Sequence, residues 1–229
     1  MYTALSSRCV ASLAWLRRAL VLGGLAVVCV TPRAWDAERM LESARRLGPR
    51  ALHGVQLLQP MLAGLSDAED LKRLDAVNRF VNQRIVFGDD QQVWQMADYW
   101  ASPLETLNQG MGDCEDFAIA KYFSLMGAGV AASRMRLVYV RLQLGGSSGI
   151  SQAHMVLAYY ATPDAEPLIL DNLVTEIRTA SRRPDLTPVF SFNSDGIWQG
   201  TGRQSVGDPL ARLSRWRDVL LKARAEGFL

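Results

Sequence analysis

Thiols are scarce in this chain, with three cysteines among 229 residues. Cys9 and Cys29 fall in an N-terminal stretch that reads as an export signal, so a mature chain keeps Cys114 alone, without a partner for an internal disulfide. Histidine is scarcer still: His53 and His154 are the only two. No Cys/His ligand spacing is present, which argues against zinc. No basic stripe points to nucleic acid. Repeats and low-complexity tracts are absent. The longest apolar run, Ala19 to Val30, is too short to span a bilayer comfortably.

What is present at the N-terminus is one-sided in charge. Residues 1–34 carry Arg8, Arg17, Arg18 and Arg33 and no acid, and the apolar run follows Arg18. A basic segment followed by a short apolar one reads as a signal peptide, with an uncleaved N-terminal membrane anchor as the alternative. Pro32-Arg33-Ala34, before Trp35, is one candidate cleavage site. Loss of these four arginines turns 25 basic against 23 acidic residues into 21 against 23, a net charge of −2. Residues 35–229 then suffice for one domain with a sizeable core.

Along that domain the pattern changes once. Residues 35–65 read as interrupted helix, with Gly48-Pro49, Pro60 and Gly64 as breakers. Ser66-Asp67-Ala68-Glu69 reads as a capping box ahead of a helix bearing Leu71, Leu74, Val77, Val81 and Ile85. Gly88-Asp89-Asp90 is expected to end it, and Trp94 to Leu107 to be turn-like around Pro103. A second helix is expected from Cys114 to about Met126, stopped by Gly127 and Gly129. The period then becomes two. Segments 136–144, 153–160 and 168–170 read as strands, with Gly145 to Gly149 as a hairpin or flap. Pro209 to Glu226 reads as a last helix with Leu210, Leu213, Trp216 and Leu220 on its packed face. Helices first, then consecutive antiparallel strands, make an α+β domain.

Cys114 stands at the expected helix start, in Gly112-Asp113-Cys114-Glu115-Asp116. A helix N-terminus and a nearby imidazole both favour the thiolate, the form that attacks. His154 shares a strand face with Val156 and Ala158, so its ring points into a covered face and needs a partner. Asp171, ending the next strand, can supply one. Cys114, His154 and Asp171 therefore read as nucleophile, base and orienting acid, at separations of 40 and 17 residues. Each alone also fits a bland role: inert core thiol, structural histidine, turn-initiating acid. Asp113, Glu115 and Asp116 oppose thiolate formation, and a hard divalent cation such as Ca²⁺ would neutralise them, as would solvent or an internal Arg or Lys. The backbone N–H of Cys114 is an expected oxyanion donor, with Trp100 as a candidate second.

Several blocks carry a family likeness. They are Trp100-Ala101-Ser102-Pro103-Leu104-Glu105-Thr106-Leu107 and the run from Gly110-Met111-Gly112-Asp113-Cys114-Glu115-Asp116 to Tyr122. Downstream come Ala153-His154-Met155-Val156-Leu157, Leu170-Asp171-Asn172-Leu173, Ser191-Phe192-Asn193, Gly196-Ile197-Trp198 and Leu213-Ser214-Arg215-Trp216-Arg217. Together they resemble the bacterial transglutaminase-like cysteine proteinases of the periplasmic LapG type, from about residue 66 to the C-terminus. The resemblance implies a papain/transglutaminase-like fold in which a helix bearing the nucleophile at its N-terminus packs on an antiparallel sheet. It implies a catalytic triad at Cys114, His154 and Asp171. It also implies Ca²⁺-dependent endopeptidase activity, with Asp113 and Glu115, then Asp116, as metal ligands. The implied substrate is the N-terminal region of a large secreted adhesin, cut at a dialanine site so that biofilm disperses. The implied partner is an inner-membrane receptor for cyclic-di-GMP that sequesters the protease on the periplasmic side. Two rivals stay open: transglutaminase-type acyl transfer to an amine, and a non-catalytic binding module on the same fold.

Overall fold

The computed structural model describes residues 35–145 and 149–229. The signal-peptide reading and the centre of the Gly145 to Gly149 loop lie outside the described residues. Helix α1 (Ala37–Leu47) starts where Asp36 Oδ1 accepts the Arg39 N–H at 3.0 Å. It stops at Gly48, whose φ of 152° suits glycine and whose Cβ, were there one, would lie 2.5 Å from Asn108 Oδ1. Pro49 then opens α2 (Pro49–Ala63) at the first helical position. Pro60 does not break α2 as the sequence led us to expect. It sits at the start of the last turn between buried Leu58 and Leu62, and its carbonyl still accepts the Gly64 N–H at 3.0 Å.

Helix α3 (Asp70–Arg84) begins later than the Ser66 capping box predicts, and no side chain caps it. Arg73 instead donates to the carbonyls of Leu65 at 3.1 Å and Ser66 at 2.7 Å, which holds those residues in a turn. Leu74, Val77 and Val81 are buried, whereas Leu71 is 64% exposed. After α3 the chain forms β1 (Val86–Phe87) and a short helix α4 (Asp90–Val93) capped by Asp89. The capping box lies further on. Ser102 and Glu105 bond reciprocally around Pro103 and start α5 (Pro103–Gln109). Buried Glu226 accepts the Ser102 hydroxyl and the Leu104 N–H, tying the C-terminal segment to this helix start. Burial pushes the Glu226 carboxyl up to about 7.

Strand β2 (Met111–Gly112) pairs in parallel with β1 and leads into α6 (Cys114–Gly127). This helix is buried on nearly every side, from Asp116 to Leu125. It packs on a six-stranded antiparallel sheet made of β3 (Met135–Leu144), β4 (Ile150–Tyr159), β5 (Leu168–Leu170), β6 (Arg178–Thr179), β7 (Leu186–Phe192) and β8 (Ile197–Gln199). The spatial order is β6-β5-β4-β3-β7-β8. Alternation splits the strands: Leu137, Met155, Leu157, Tyr159 and Phe192 join α6 in the main core. Val138, Val140, Val156, Ala158 and Ile169 form a second cluster on the other face. Each fully buried large side chain contributes roughly 1.5–3 kcal/mol, so α6 and the sheet dominate stability.

The C-terminal helix is two pieces, α7 (Pro209–Arg212) and α8 (Ser214–Ala225), because Leu213 leaves the helical region at φ −120°, ψ 88°. The break lets Leu210 face solvent while Trp216 turns fully inward, its Nε1 donating to the Asn193 carbonyl at 3.1 Å. Among the described residues, no helix is long and apolar enough to cross a membrane.

Candidate active site

Cys114 is the first residue of α6, with Asp113 as N-cap. The β1–β2 pairing fixes the approach, placing Phe87 opposite Gly112 and joining Gly88 N to Gly112 O at 2.9 Å. Gly112 has no room for a side chain, since a Cβ there would lie 2.6 Å from Asp116 Oδ2. The sulfur lies beside β4, close enough to the Met155 backbone amide for that N–H to favour the thiolate. The thiol itself donates to Glu115 Oε2 at 3.1 Å. Cys114 and His154 line one cleft of about 440 Å³, together with Asp113, Phe87 and Leu173. His53 is elsewhere, exposed on α2 beside a separate groove.

The buried His154 ring gives its Nε2 to Asp171 Oδ1 at 2.8 Å. With Nε2–H donating to the carboxylate, Nδ1 is the atom left to exchange a proton with a nucleophile. Asp171 also accepts the Leu173 N–H at 3.1 Å on Oδ1 and faces Arg183 Nη1 at 2.8 Å on Oδ2. Burial pushes the Asp171 carboxyl up, but His154, Leu173 and Arg183 outweigh it and hold it at about 2. Arg183 is itself buried and bridges to Asp185, with Nη2 2.7 Å from Oδ2. It was not legible in the sequence, because nothing near residue 183 marks it as a partner of residue 171.

Lys121 is a second unforeseen contributor. It lies two helical turns after Cys114, is buried, and donates from Nζ to the Asp171 backbone carbonyl at 2.9 Å. Asn82 Nδ2 donates to the same oxygen at 3.0 Å. Burial pulls the Lys121 ammonium down to about 7, with Asp171 acting the other way. A lysine as the only charged residue of α6 after its first turn was the available signal. Lys121→Met keeps the volume and removes a buried charge, so stability should change by less than ~1.5 kcal/mol. We expect kcat on a peptide substrate to fall about tenfold with KM unchanged, as Asp171 loses one of its two backbone anchors. An unchanged kcat would remove Lys121 from the site.

Acids crowd the nucleophile. Asp90, Asp113 and Asp116 bring carboxylate oxygens within 4.8 Å of one another, and Asp90, Asp98 and Glu115 form an overlapping group. Asp90 reaches the cluster because β1 and β2 pair; the sequence offered Gly88-Asp89-Asp90 only as a helix stop. Asp116 Oδ1 accepts the Ala101 N–H at 2.8 Å, and Asp90 Oδ2 accepts that of Tyr99. Asp90 Oδ1, Asp113 Oδ1 and Asp116 Oδ2 are buried without a hydrogen-bond partner. Burial raises all three carboxyls and the neighbouring acids add to it, against the amides of Tyr99 on Asp90 and Ala101 on Asp116. Burial likewise pushes the Cys114 thiol up, and Glu115 and Asp113 add to it. Orphaned, converging, hard oxygen donors fit a cation of the Ca²⁺ type. Trp100 belongs to packing: its ring stacks on Phe192 at 5.6 Å, outside the cleft lining.

No curated protein matches the chain. Among solved structures, Legionella pneumophila LapG is 34% identical, covering 82% of this chain and 97% of its own, with a TM-score of 0.69. The calcium-bound form of Legionella LapG gives 36% identity, coverage of 82% and 98%, and a TM-score of 0.71. The EGTA-treated form gives 36%, 82% and 97%, and 0.71. The family profile described as bacterial transglutaminase-like cysteine proteinase BTLCP matches residues 60–185, which contain Cys114, His154, Asp171, Arg183 and the acidic cluster. The chain belongs to the bacterial transglutaminase-like cysteine proteinases.

Proposed function

We propose that this cysteine proteinase is a calcium-dependent periplasmic endopeptidase that cuts the N-terminal region of a large surface adhesin at a dialanine site. In this reading Cys114 is the nucleophile, His154 first removes the thiol proton and then protonates the leaving amine, and Asp171 holds the imidazole. The observation that carries it is the His154–Asp171 hydrogen bond of 2.8 Å in the cleft that Cys114 also lines. Asp113, Glu115 and Asp116, with Asp90 added from the orphaned oxygens, would hold the Ca²⁺ ion. When bound, the ion supplies positive charge that cancels the acids' penalty on the thiolate. The calcium-bound and EGTA-treated forms of Legionella LapG support the choice of metal. Release of the adhesin would disperse biofilm, and an inner-membrane cyclic-di-GMP receptor would withhold the protease by binding it.

The test is incubation of the purified protein with the N-terminal region of a large adhesin from the same genome, with Ca²⁺ or a chelator. One cut at a dialanine, lost in chelator, is the expected result. An intact adhesin in Ca²⁺ would refute the substrate, and an amide-linked product with an added amine would move the reaction to acyl transfer.

A further inference from the structure

We infer that the open edge of β4 at Ser151–Ala153 is the substrate-binding subsite of this enzyme, where an extended stretch of the polypeptide to be cut adds as a strand that leads its scissile bond to Cys114. The inference rests on the protease reading and adds how the substrate is held.

Hydrogen-bond direction alternates along a strand, so the backbone groups of one parity face one neighbour. The Tyr160 N–H continues β4 toward the β3 side, donating to the Arg134 carbonyl at 2.8 Å, so even-numbered residues face β3. Odd-numbered residues face the other way, and the Met155 amide on that side reaches the Cys114 sulfur. Ala153 and Ser151 continue the same row. On the β3 side, β4 is paired along its whole length, Ile150 to Tyr159. On the other side β5 stops at Leu170, opposite Leu157. Among the described residues no strand pairs with β4 upstream of that point. The row of edge groups thus ends on the nucleophile.

Two further observations favour a peptide as the occupant. Exposed edges are ordinarily blunted by lysine, proline or a bulge, yet Ile150-Ser151-Gln152-Ala153 is uncharged, proline-free and in regular register with β3. Phe87 and Leu173, 58% and 50% exposed, line the same cleft as Gln152 and Ala153. Backbone pairing on an edge with apolar side chains beside it is the way an extended peptide is recognised. The substrate class that follows is a segment without its own secondary structure, carrying free backbone amides on the side of the cut that lies along β4.

Ala153→Pro tests this. It removes an edge N–H that points away from β3, so the β3–β4 ladder keeps its bonds, and proline is tolerated at such a position. In the Ca²⁺-loaded full protein we expect KM for an unstructured dialanine-containing polypeptide to rise about tenfold, the equivalent of one backbone hydrogen bond. The alkylation rate of Cys114 by iodoacetamide should stay at the wild-type value. Ala153→Ser, which keeps the N–H but changes the side chain, should raise KM less than Ala153→Pro does. An unchanged KM in Ala153→Pro, or an equal rise in Ala153→Ser, would overturn edge docking while leaving the protease reading intact. A slowed alkylation in Ala153→Pro would also overturn it, since the change would then act on the nucleophile. A wild-type protein that cleaves no polypeptide would sink the protease reading, and edge docking with it.

Discussion

Cys114→Ala is expected to abolish peptide cleavage, by about four decades or more in kcat, while the fold and substrate binding persist. The side chain removed is small and only half-buried. His154→Ala should match it in activity, because Nδ1 is then lost as proton acceptor and donor. The stability outcomes should differ in an instructive way. In His154→Ala the Asp171 carboxylate keeps Arg183 at 2.8 Å and the Leu173 N–H at 3.1 Å, so no buried charge is stranded. In Asp171→Ala the buried Arg183 retains only half-exposed Asp185 as its ion-pair partner, and the buried ring of His154 loses its acceptor. Truncating one side of a buried pair costs roughly 3–5 kcal/mol, so Asp171→Ala should be the variant that melts early. Activity assays and thermal melts of the three variants settle it. Residual cleavage by Cys114→Ala above a thousandth of wild type would refute the nucleophile assignment.

The linkage between these residues explains which parts of the site could be read from the chain. Cys114 and its acids are contiguous, and the helix that starts there is predicted by its own apolar pattern. His154 sits on a strand whose alternation is clear and Asp171 directly follows the next strand, so their adjacency was legible. Lys121, Arg183 and Asp90 act across separations that only the folded chain closes: helix to strand end, loop to strand end, and β1 to β2. A local rule also failed when two sites satisfied it. Ser66-Asp67-Ala68-Glu69 and Ser102-Pro103-Leu104-Glu105 both fit a capping box, but Arg73 claims the carbonyls around the first. Only the second has proline at the first helical position, and that one forms. Strand β7 escaped the sequence reading because Leu186 to Val189 is largely exposed and Pro188 interrupts it, at a register shift against β3. The last helix was read as continuous because Leu213 has good helix propensity; the break there, beside buried Trp216, carries no local sequence signal.

Removal of calcium is the second change expected to have a large effect, on stability as well as on rate. Three carboxylates, two buried (Asp90, Asp116) and one half-buried (Asp113), with oxygens within 4.8 Å repel strongly. At an effective dielectric of about 20, each fully ionised pair at such a distance costs on the order of 3–4 kcal/mol. Burial and mutual repulsion hold these acids above their ordinary range, so the metal-free fold tolerates them only partly ionised. A cation seated among Asp90, Asp113 and Asp116 would reverse that balance and give three orphaned oxygens a partner. By mass action, free Ca²⁺ at a hundred times its Kd stabilises the fold by ~2.7 kcal/mol, or ~5–10 °C in Tm for a domain of this size. We therefore expect EGTA to lower Tm by that amount and to cut cleavage at least a hundredfold. Asp90→Asn preserves the oxygen that accepts the Tyr99 N–H, so the variant should fold. It should bind Ca²⁺ more weakly and show a smaller Tm difference between Ca²⁺ and EGTA. If calorimetry finds no Ca²⁺ binding to the wild-type protein, or if Asp90→Asn binds as tightly, the cluster is a solvated acidic patch. The thiol would then need another source of positive charge.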